Sequence, residues 1–287
     1  MALRAPSEAR DIVVVGAGIG GLGTALALSR SGHRVTLVER DATPLPPDPD
    51  AAFDWDRRGA PQVRHSHALL ARLRNLLRDS YPDVLDDLLD AGATEMRFAE
   101  SFPVDIDDPS PLPGDDDLVA LACRRTTFEW VLRRSVLADP RVTLLDGSVA
   151  SGLVVAPGTA NDEAPRVTGV RITTPDDPDE RPIPADLVVA AGGRRSSGVR
   201  WLHDIGVDVD VTEEDTGIVY LSRFYRLHAG AEPPRQEGPI GGDLGYLKYA
   251  VFQGDNRTYS VTFAVHTHDD ELRSKLLQPA YFDVAAA

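Results

Sequence analysis

DIVVVGAGIGGLGTALALSRSGHRVTLVER, residues 11–40, decides the fold. Residues 12–15 are an unbroken apolar run, the pattern of a parallel strand buried on both faces. Gly16, Gly18 and Gly21 follow as G-x-G-x-x-G. The helix runs on through Ala25 to Arg30, Gly32 stops it, and residues 35–38 make a second buried strand that Glu39 closes. Each part has a physical task. Gly16 permits a tight strand-to-helix turn, Gly18 lets backbone approach a pyrophosphate, and Gly21 lets helix and strand pack closely. The helix N-terminus offers free N–H groups to phosphates. Glu39, 18 residues after Gly21, accepts hydrogen bonds from ribose hydroxyls and repels a 2′-phosphate. The glycine motif alone is weak evidence. The strand before it, the helix after it and the acid at this distance point to a dinucleotide site rather than a glycine-rich turn in an unrelated α/β protein.

The rest of the composition narrows the class. The 287 residues suffice for one large or two modest domains with a real core. A net charge of −15 argues against nucleic acid as a partner, because phosphate binding needs a basic surface. Cys123 is the single cysteine, so neither an internal disulfide nor a cysteine-rich metal site is expected. The opening MALRAPSEAR lacks the apolar core of a signal peptide, and no apolar run approaches the ~20 residues of a membrane helix. The expectation is a soluble cytoplasmic protein with no membrane partner and an open oligomeric state.

Outward from the glycine stretch, residues 1–10 read as a loose arm. Residues 41–58 are rich in Pro and Asp, a loop long enough to be a functional excursion. Leu69, Leu70, Leu73, Leu76 and Leu77 fall at helical spacing, Tyr81-Pro82 breaks that helix, and another occupies 84–89. Residues 103–117 are a polar loop. A helix over 126–137 puts Phe128, Val131, Leu132 and Val136 on one face and Glu129, Arg133 and Arg134 outside. Strands are expected at 142–145, 149–155, 167–173 and 187–190, the second and third forming an antiparallel excursion from the sheet. Alternating runs at 218–227, 246–252 and 258–266 indicate a second, largely antiparallel sheet.

With these pieces in place, a family resemblance emerges. Residues 12–40 match the FAD-type fingerprint, with Ala25, Gly32 and Glu39-Arg40 in register. PQVRHSHALLAR at 61–72 resembles the P-Q-x-R-H-x-H-x-L-L segment of a bacterial branch of FAD-dependent monooxygenases. CRRTTFEWVLRR at 123–134 resembles their arginine-led helix, and ADLVVAAGGRRSSGVRWL at 185–202 resembles their A-D-L-V-V-D-A-x-G-R-x-S segment. Together these are similar to the para-hydroxybenzoate hydroxylase fold of single-component flavin hydroxylases and epoxidases. The resemblance implies an α/β fold: a Rossmann-like FAD-binding domain over 1–204 with a β-meander excursion, then a mostly antiparallel β-sheet substrate domain from 205–287. It also implies FAD as cofactor, NAD(P)H as co-substrate, and oxygen transfer to a small organic molecule. Two departures stand out. Ala190 replaces the family's aspartate before the glycines, and the family's later glycine-aspartate segment is not found, so the chain reads as a fragment of a longer flavoprotein.

The candidate cofactor residues are Gly16, Gly18, Gly21, Glu39, Arg40, Arg64 and Arg125. Arg40 either lies on the adenine face or is a solvated charge at a strand end. By the resemblance, Arg64 serves the FAD phosphates and Arg125 is the FAD-contacting arginine. His65 and His67 either line the flavin or substrate pocket or cap the helix that starts near Ser66. Their i, i+2 spacing disfavours a metal pair on a helix, and no metal is expected. Cys123 reads as a small buried hydrophobe. Ser196 and Ser197 lack the nucleophile elbow of a hydrolase, and the Asp-rich stretches 105–108 and 115–117 lack EF-hand spacing. No catalytic residue is named, because in flavin chemistry the cofactor does the bond-making. The alternatives are an FAD-dependent dehydrogenase or reductase without oxygen transfer, and a non-catalytic nucleotide-binding remnant.

Overall fold

The computed structural model describes residues 8–100, 107–157, 164–231 and 239–287. Most of the expected N-terminal arm, the start of the 103–117 loop and its Asp105 and Ile106 lie outside these. In chain order the elements are β1 (Asp11–Val15), α1 (Ile19–Arg30), β2 (Arg34–Val38), α2 (Ala71–Ser80), α3 (Pro82–Asp90), β3 (Thr94–Arg97) and β4 (Val119–Ala122). Then come α4 (Arg125–Ala138), β5 (Val142–Leu145), β6 (Val149–Val155), β7 (Val167–Thr174), β8 (Asp177–Pro184), β9 (Leu187–Ala190) and α5 (Gly198–Asp204). The chain ends with β10 (Ile218–Arg226), β11 (Gly241–Asp243), β12 (Lys248–Gln253), β13 (Thr258–His266), α6 (Asp270–Leu276) and α7 (Pro279–Ala286). These fall into two compact units, residues 1–61 with 129–213 and residues 62–128 with 214–287. The division passes through α4.

The first unit is built on a parallel sheet of order β5-β2-β1-β9. Its inner strands are apolar at residues 12–15 and, but for Thr36, at 35–38, with Asp11 and Arg34 exposed at their starts, as suits strands covered on both faces. Val13 and Val38 pack with Leu153, Val170 and Ile172 of the antiparallel β6-β7-β8 sheet and with Trp201 of α5. Each such side chain, fully buried, stabilises the unit by about 1.5–3 kcal/mol. The helix α1 packs on β1 and β2 through Leu22, Ala25 and Leu26. The strand β8 is one that the sequence presents as turn residues, since DPDERPIP carries three prolines. It forms because it lies at the sheet edge, where a proline's missing N–H costs no ladder bond.

The second unit is built on an antiparallel sheet of order β10-β13-β12-β11. Period-two alternation divides its faces. Val261, Phe263 and Val265 of β13 pack with Leu276 of α6 and Phe282 of α7, the two phenylalanine rings 4.8 Å apart. The intervening Ser260 and Thr262 join a chain of hydroxyls with Ser66 and Ser222, at 2.6–2.8 Å. The β12–β13 hairpin turns through Asn256 (φ 52) and Arg257 (φ 61), consecutive left-handed residues as in a type I′ turn. At its start Asp255 is fully buried. Its carboxylate accepts from the Arg124 backbone N–H (2.7 Å), the Arg124 Nε (3.0 Å) and Nη2 (2.6 Å), and the Thr127 hydroxyl (2.8 Å).

Candidate dinucleotide site

In the first unit β1 lies between β2 and β9, all parallel. The chain therefore leaves β1 toward one side of the sheet and later returns on the other. The crevice beyond the carboxyl ends of such strands is where open α/β sheets hold ligands. The glycine loop sits there. Gly16 has φ +104, and a Cβ on it would stand 2.7 Å from the Ala191 carbonyl oxygen in the turn after β9. A Cβ on Gly21 would overlap the Gly16 carbonyl oxygen. These two glycines are demanded by the fold itself. Gly18 differs: its φ is −79, and no described atom lies within 4 Å of an added Cβ there or on Gly20. Gly18 is the N-cap of α1, which carries no side-chain cap and no acid in its first turn. The helix end thus offers N–H donors and the positive end of its dipole to an open space, which suits a pyrophosphate.

The crevice is arranged differently at Glu39. Glu39 is only 5% exposed. Its Oε2 accepts from the Ala17 N–H at 2.7 Å and its Oε1 from the Asp41 N–H at 3.0 Å. Arg57, from the 41–60 excursion, reaches the same place. Its Nε donates to Glu129 Oε1 (2.8 Å), its Nη1 to Asp41 Oδ2 (3.2 Å), and its Nη2 to the Ala17 carbonyl (2.9 Å) and Glu39 Oε2 (3.5 Å). Burial works to lower the pKa of Arg57, but Glu129, Glu39 and Asp41 outweigh it, and the net shift is upward. Trp55 carries two guanidinium groups near its ring, Arg57 at 5.1 Å and Arg133 of α4 at 5.2 Å. Arg133 is itself buried, and burial followed by repulsion from Arg57 lowers its pKa. Glu129 and Arg133 therefore face inward, where the sequence places them outside. The apolar stripe of α4 does not reveal this, because Glu129 is held by Arg57 and Arg133 lies over the Trp55 ring, both partners coming from the excursion.

Gly16, Gly18, Gly21, Glu39 and Arg40 are thus gathered in the first unit, with Arg40 exposed. Arg64 and Arg125 belong to the second, Arg64 exposed and Arg125 half-buried. There Arg125 lines a narrow cavity of about 10 Å³ with His65, His67, Phe224 and Phe252, room for little more than a water. Neither histidine caps α2, which begins at Ala71 behind Leu70. His67 instead uses Nδ1 to donate to the His65 carbonyl at 2.8 Å, and His65 Nδ1 lies 3.3 Å from the Ser222 hydroxyl. Burial pushes the Cys123 thiol well above its usual pKa, so it is an inert core residue. Among the described residues no cluster of His, Cys, Asp or Glu has the makings of a metal site, and no helix is long and apolar enough to cross a membrane.

Residues 11–46 match the family model described as FAD dependent oxidoreductase. No curated protein matches the sequence. Solved structures do, across almost the whole chain. A probable FAD-dependent monooxygenase from Pseudomonas aeruginosa, PqsL, is 16% identical with a TM-score of 0.65, over 97% of this chain and 66% of that one. The p-nitrophenol 4-monooxygenase PnpA from Pseudomonas putida is 18% identical with a TM-score of 0.59, over 96% and 62%. The Diels-Alderase PyrE3 of pyrroindomycin biosynthesis is 19% identical with a TM-score of 0.59, over 93% and 51%. The chain spans less than two thirds of the length of each. The strand–glycine loop–helix–strand of residues 11–46 thus matches the FAD dependent oxidoreductase model, and the chain around it shares the fold of these solved structures.

Proposed function

We propose that this chain is the flavin-binding part of an FAD-dependent monooxygenase, a hydroxylase or epoxidase that uses NAD(P)H and O₂ on a small organic substrate in the cytoplasm. The observation that carries the proposal is the open helix N-terminus at Gly18, set at the sheet's switch point with a buried acid at the end of β2. FAD, when bound, supplies the redox chemistry. This chain's residues hold and orient it. The α1 amides take the pyrophosphate, Glu39 takes the adenosine ribose, and Arg64 and Arg125 are assigned to the phosphates and ribityl chain. The pyrophosphate end fits FAD as it stands, and the ribose end fits only with Arg57 displaced. The net charge of −15 accords with a small-molecule partner rather than nucleic acid.

Gly18→Asp tests the proposal cleanly. The new side chain enters open space at an ordinary φ, so the fold is kept, while its carboxylate stands where the pyrophosphate must lie. FAD affinity, titrated by flavin fluorescence, is expected to fall by at least ~100-fold, the scale of roughly 3 kcal/mol, with an unchanged thermal midpoint. Undiminished affinity in a folded variant removes the site. Product formation that needs both NAD(P)H and O₂ separates the monooxygenase from a reductase.

A further inference from the structure

We infer that residues 41–60 form a cover over the ribose end of this groove, bolted by Arg57, and that a dinucleotide reaches Glu39 only when the bolt is drawn, an inference that rests on the reading of the groove as an FAD site. The two ends of the groove are not alike. At Gly18 and Gly20 the space is open. At Glu39 it is closed: both carboxylate oxygens already accept backbone N–H groups, and Arg57 lies against one of them. Ribose hydroxyls need an accessible carboxylate oxygen, and Glu39 is 5% exposed.

Arg57 closes this end because its fork spans three separate segments. Ala17 belongs to the glycine loop, Glu39 and Asp41 to the end of β2 and its exit, and Glu129 to α4. Beside it, the Trp130 indole N–H on the Pro46 carbonyl (2.8 Å) ties the cover to α4, while the Thr43 hydroxyl on the Asp56 carbonyl (2.9 Å) and the Gly59 N–H on Asp41 Oδ2 (2.9 Å) fold the cover on itself. Its only regular structure is a short 3-10 turn at Ala51–Asp54. Loops over ligand sites are drawn from the low-stability end of a fold, where local opening costs least.

The closed state is also incomplete. Among the described residues, Trp55 Nε1 and Arg133 Nη1 are buried donors with no hydrogen-bond acceptor. Buried donors without acceptors destabilise the state that holds them. A nucleotide is rich in acceptors. Closure is therefore a state that ligand can exchange for a better-satisfied one, and the cover sets both the rate of entry and the apparent affinity.

The test is stopped-flow quenching of FAD fluorescence by the whole chain. For the native protein the observed rate is expected to level off as FAD is raised, at the rate of cover opening. Arg57→Lys keeps the charge but loses the fork, and Trp55→Ala removes the plate on which Arg57 and Arg133 rest. Both are expected to raise the plateau and tighten FAD binding, by roughly tenfold or more for a cover that is closed nine-tenths of the time or longer. Should Arg57→Lys fail to fold by circular dichroism, Trp55→Ala, which leaves every charge in place, carries the test. A rate that climbs linearly with FAD and is no faster in the folded variants overturns the bolt while leaving the FAD site standing. Weaker binding with the same plateau also overturns it, because Arg57 then holds the nucleotide itself. If neither the native chain nor any variant binds FAD, the site and the bolt fall together.

Discussion

Arg57 in the first unit and Arg124 in the second are both buried, their side chains 1% and 4% exposed. Arg124 meets one carboxylate, Asp255, through two of its nitrogens and its own backbone N–H, and Thr127 adds a donor to the same carboxylate. Arg57 is shared among three carboxylates and a carbonyl, and Arg133 lies beside it on Trp55. The Arg124 arrangement binds the start of α4 to the β12–β13 turn and has the balance of a structural staple. The Arg57 arrangement carries more acid than base and divides one guanidinium among several acceptors, beside the glycine loop. Removing the carboxylate of a buried ion pair strands its cation, whereas a cation shared among several carboxylates keeps partners when one is lost.

That contrast is open to direct attack. The largest effect is expected at the staple. Asp255→Ala leaves Arg124 buried without its carboxylate and strips the Thr127 hydroxyl of its acceptor, so urea unfolding should show a loss of about 3–5 kcal/mol. A loss below about 1 kcal/mol means the pair behaves like a surface salt bridge, and the contrast disappears. Glu129→Gln should cost less, about 1–2 kcal/mol, because the amide oxygen still accepts and Arg57 keeps Glu39 and Asp41. A cost equal to that of Asp255→Ala would show Arg57 to be as firmly fixed as Arg124.

A solvent-facing pair sets the bottom of the scale. The Tyr225 hydroxyl donates to Asp283 Oδ1 at 2.7 Å, and desolvation, then that carboxylate, push its pKa up to about 12. The folded state favours the neutral phenol, so its contribution is whole below the unfolded value of about 10. It is lost as pH rises through about 12. The unfolding midpoint should therefore fall between these values by slightly more in the native chain than in Tyr225→Phe. Parallel pH profiles for the two would remove the Asp283 contact from the account.

The legible part of the fold was the part written in short-range patterns. Short apolar runs foretold β1 and β2, alternation foretold β10 and β13, and helical spacing foretold α4. The glycine motif with Glu39 located the candidate groove, and the structure separates the roles inside it: Gly16 and Gly21 are required by backbone crowding, while Gly18 faces open space. Helical spacing also foretold α2, although Leu70 and Leu76 are exposed. One short-range signal misled: β8 looked like a turn because its prolines are tolerated only at an edge, which is a property of the sheet.

Sequence alone determined the parallel core and the glycine turn, because an apolar run and a missing Cβ act on their immediate neighbours. Only the tertiary structure decided which charges went inside. Arg57 and Arg58 are adjacent and alike, yet one side chain is 1% exposed and the other 84%. Arg124 is locked on Asp255, and Arg125, the next residue, is left half-buried beside a cavity. Burying a guanidinium is stable only where partners replace its water. Those partners come from positions 17, 39, 41 and 129 in one case and from 255 in the other. No local pattern brings such residues together, so the open glycine-loop end could be read from the chain and the closed Glu39 end could not.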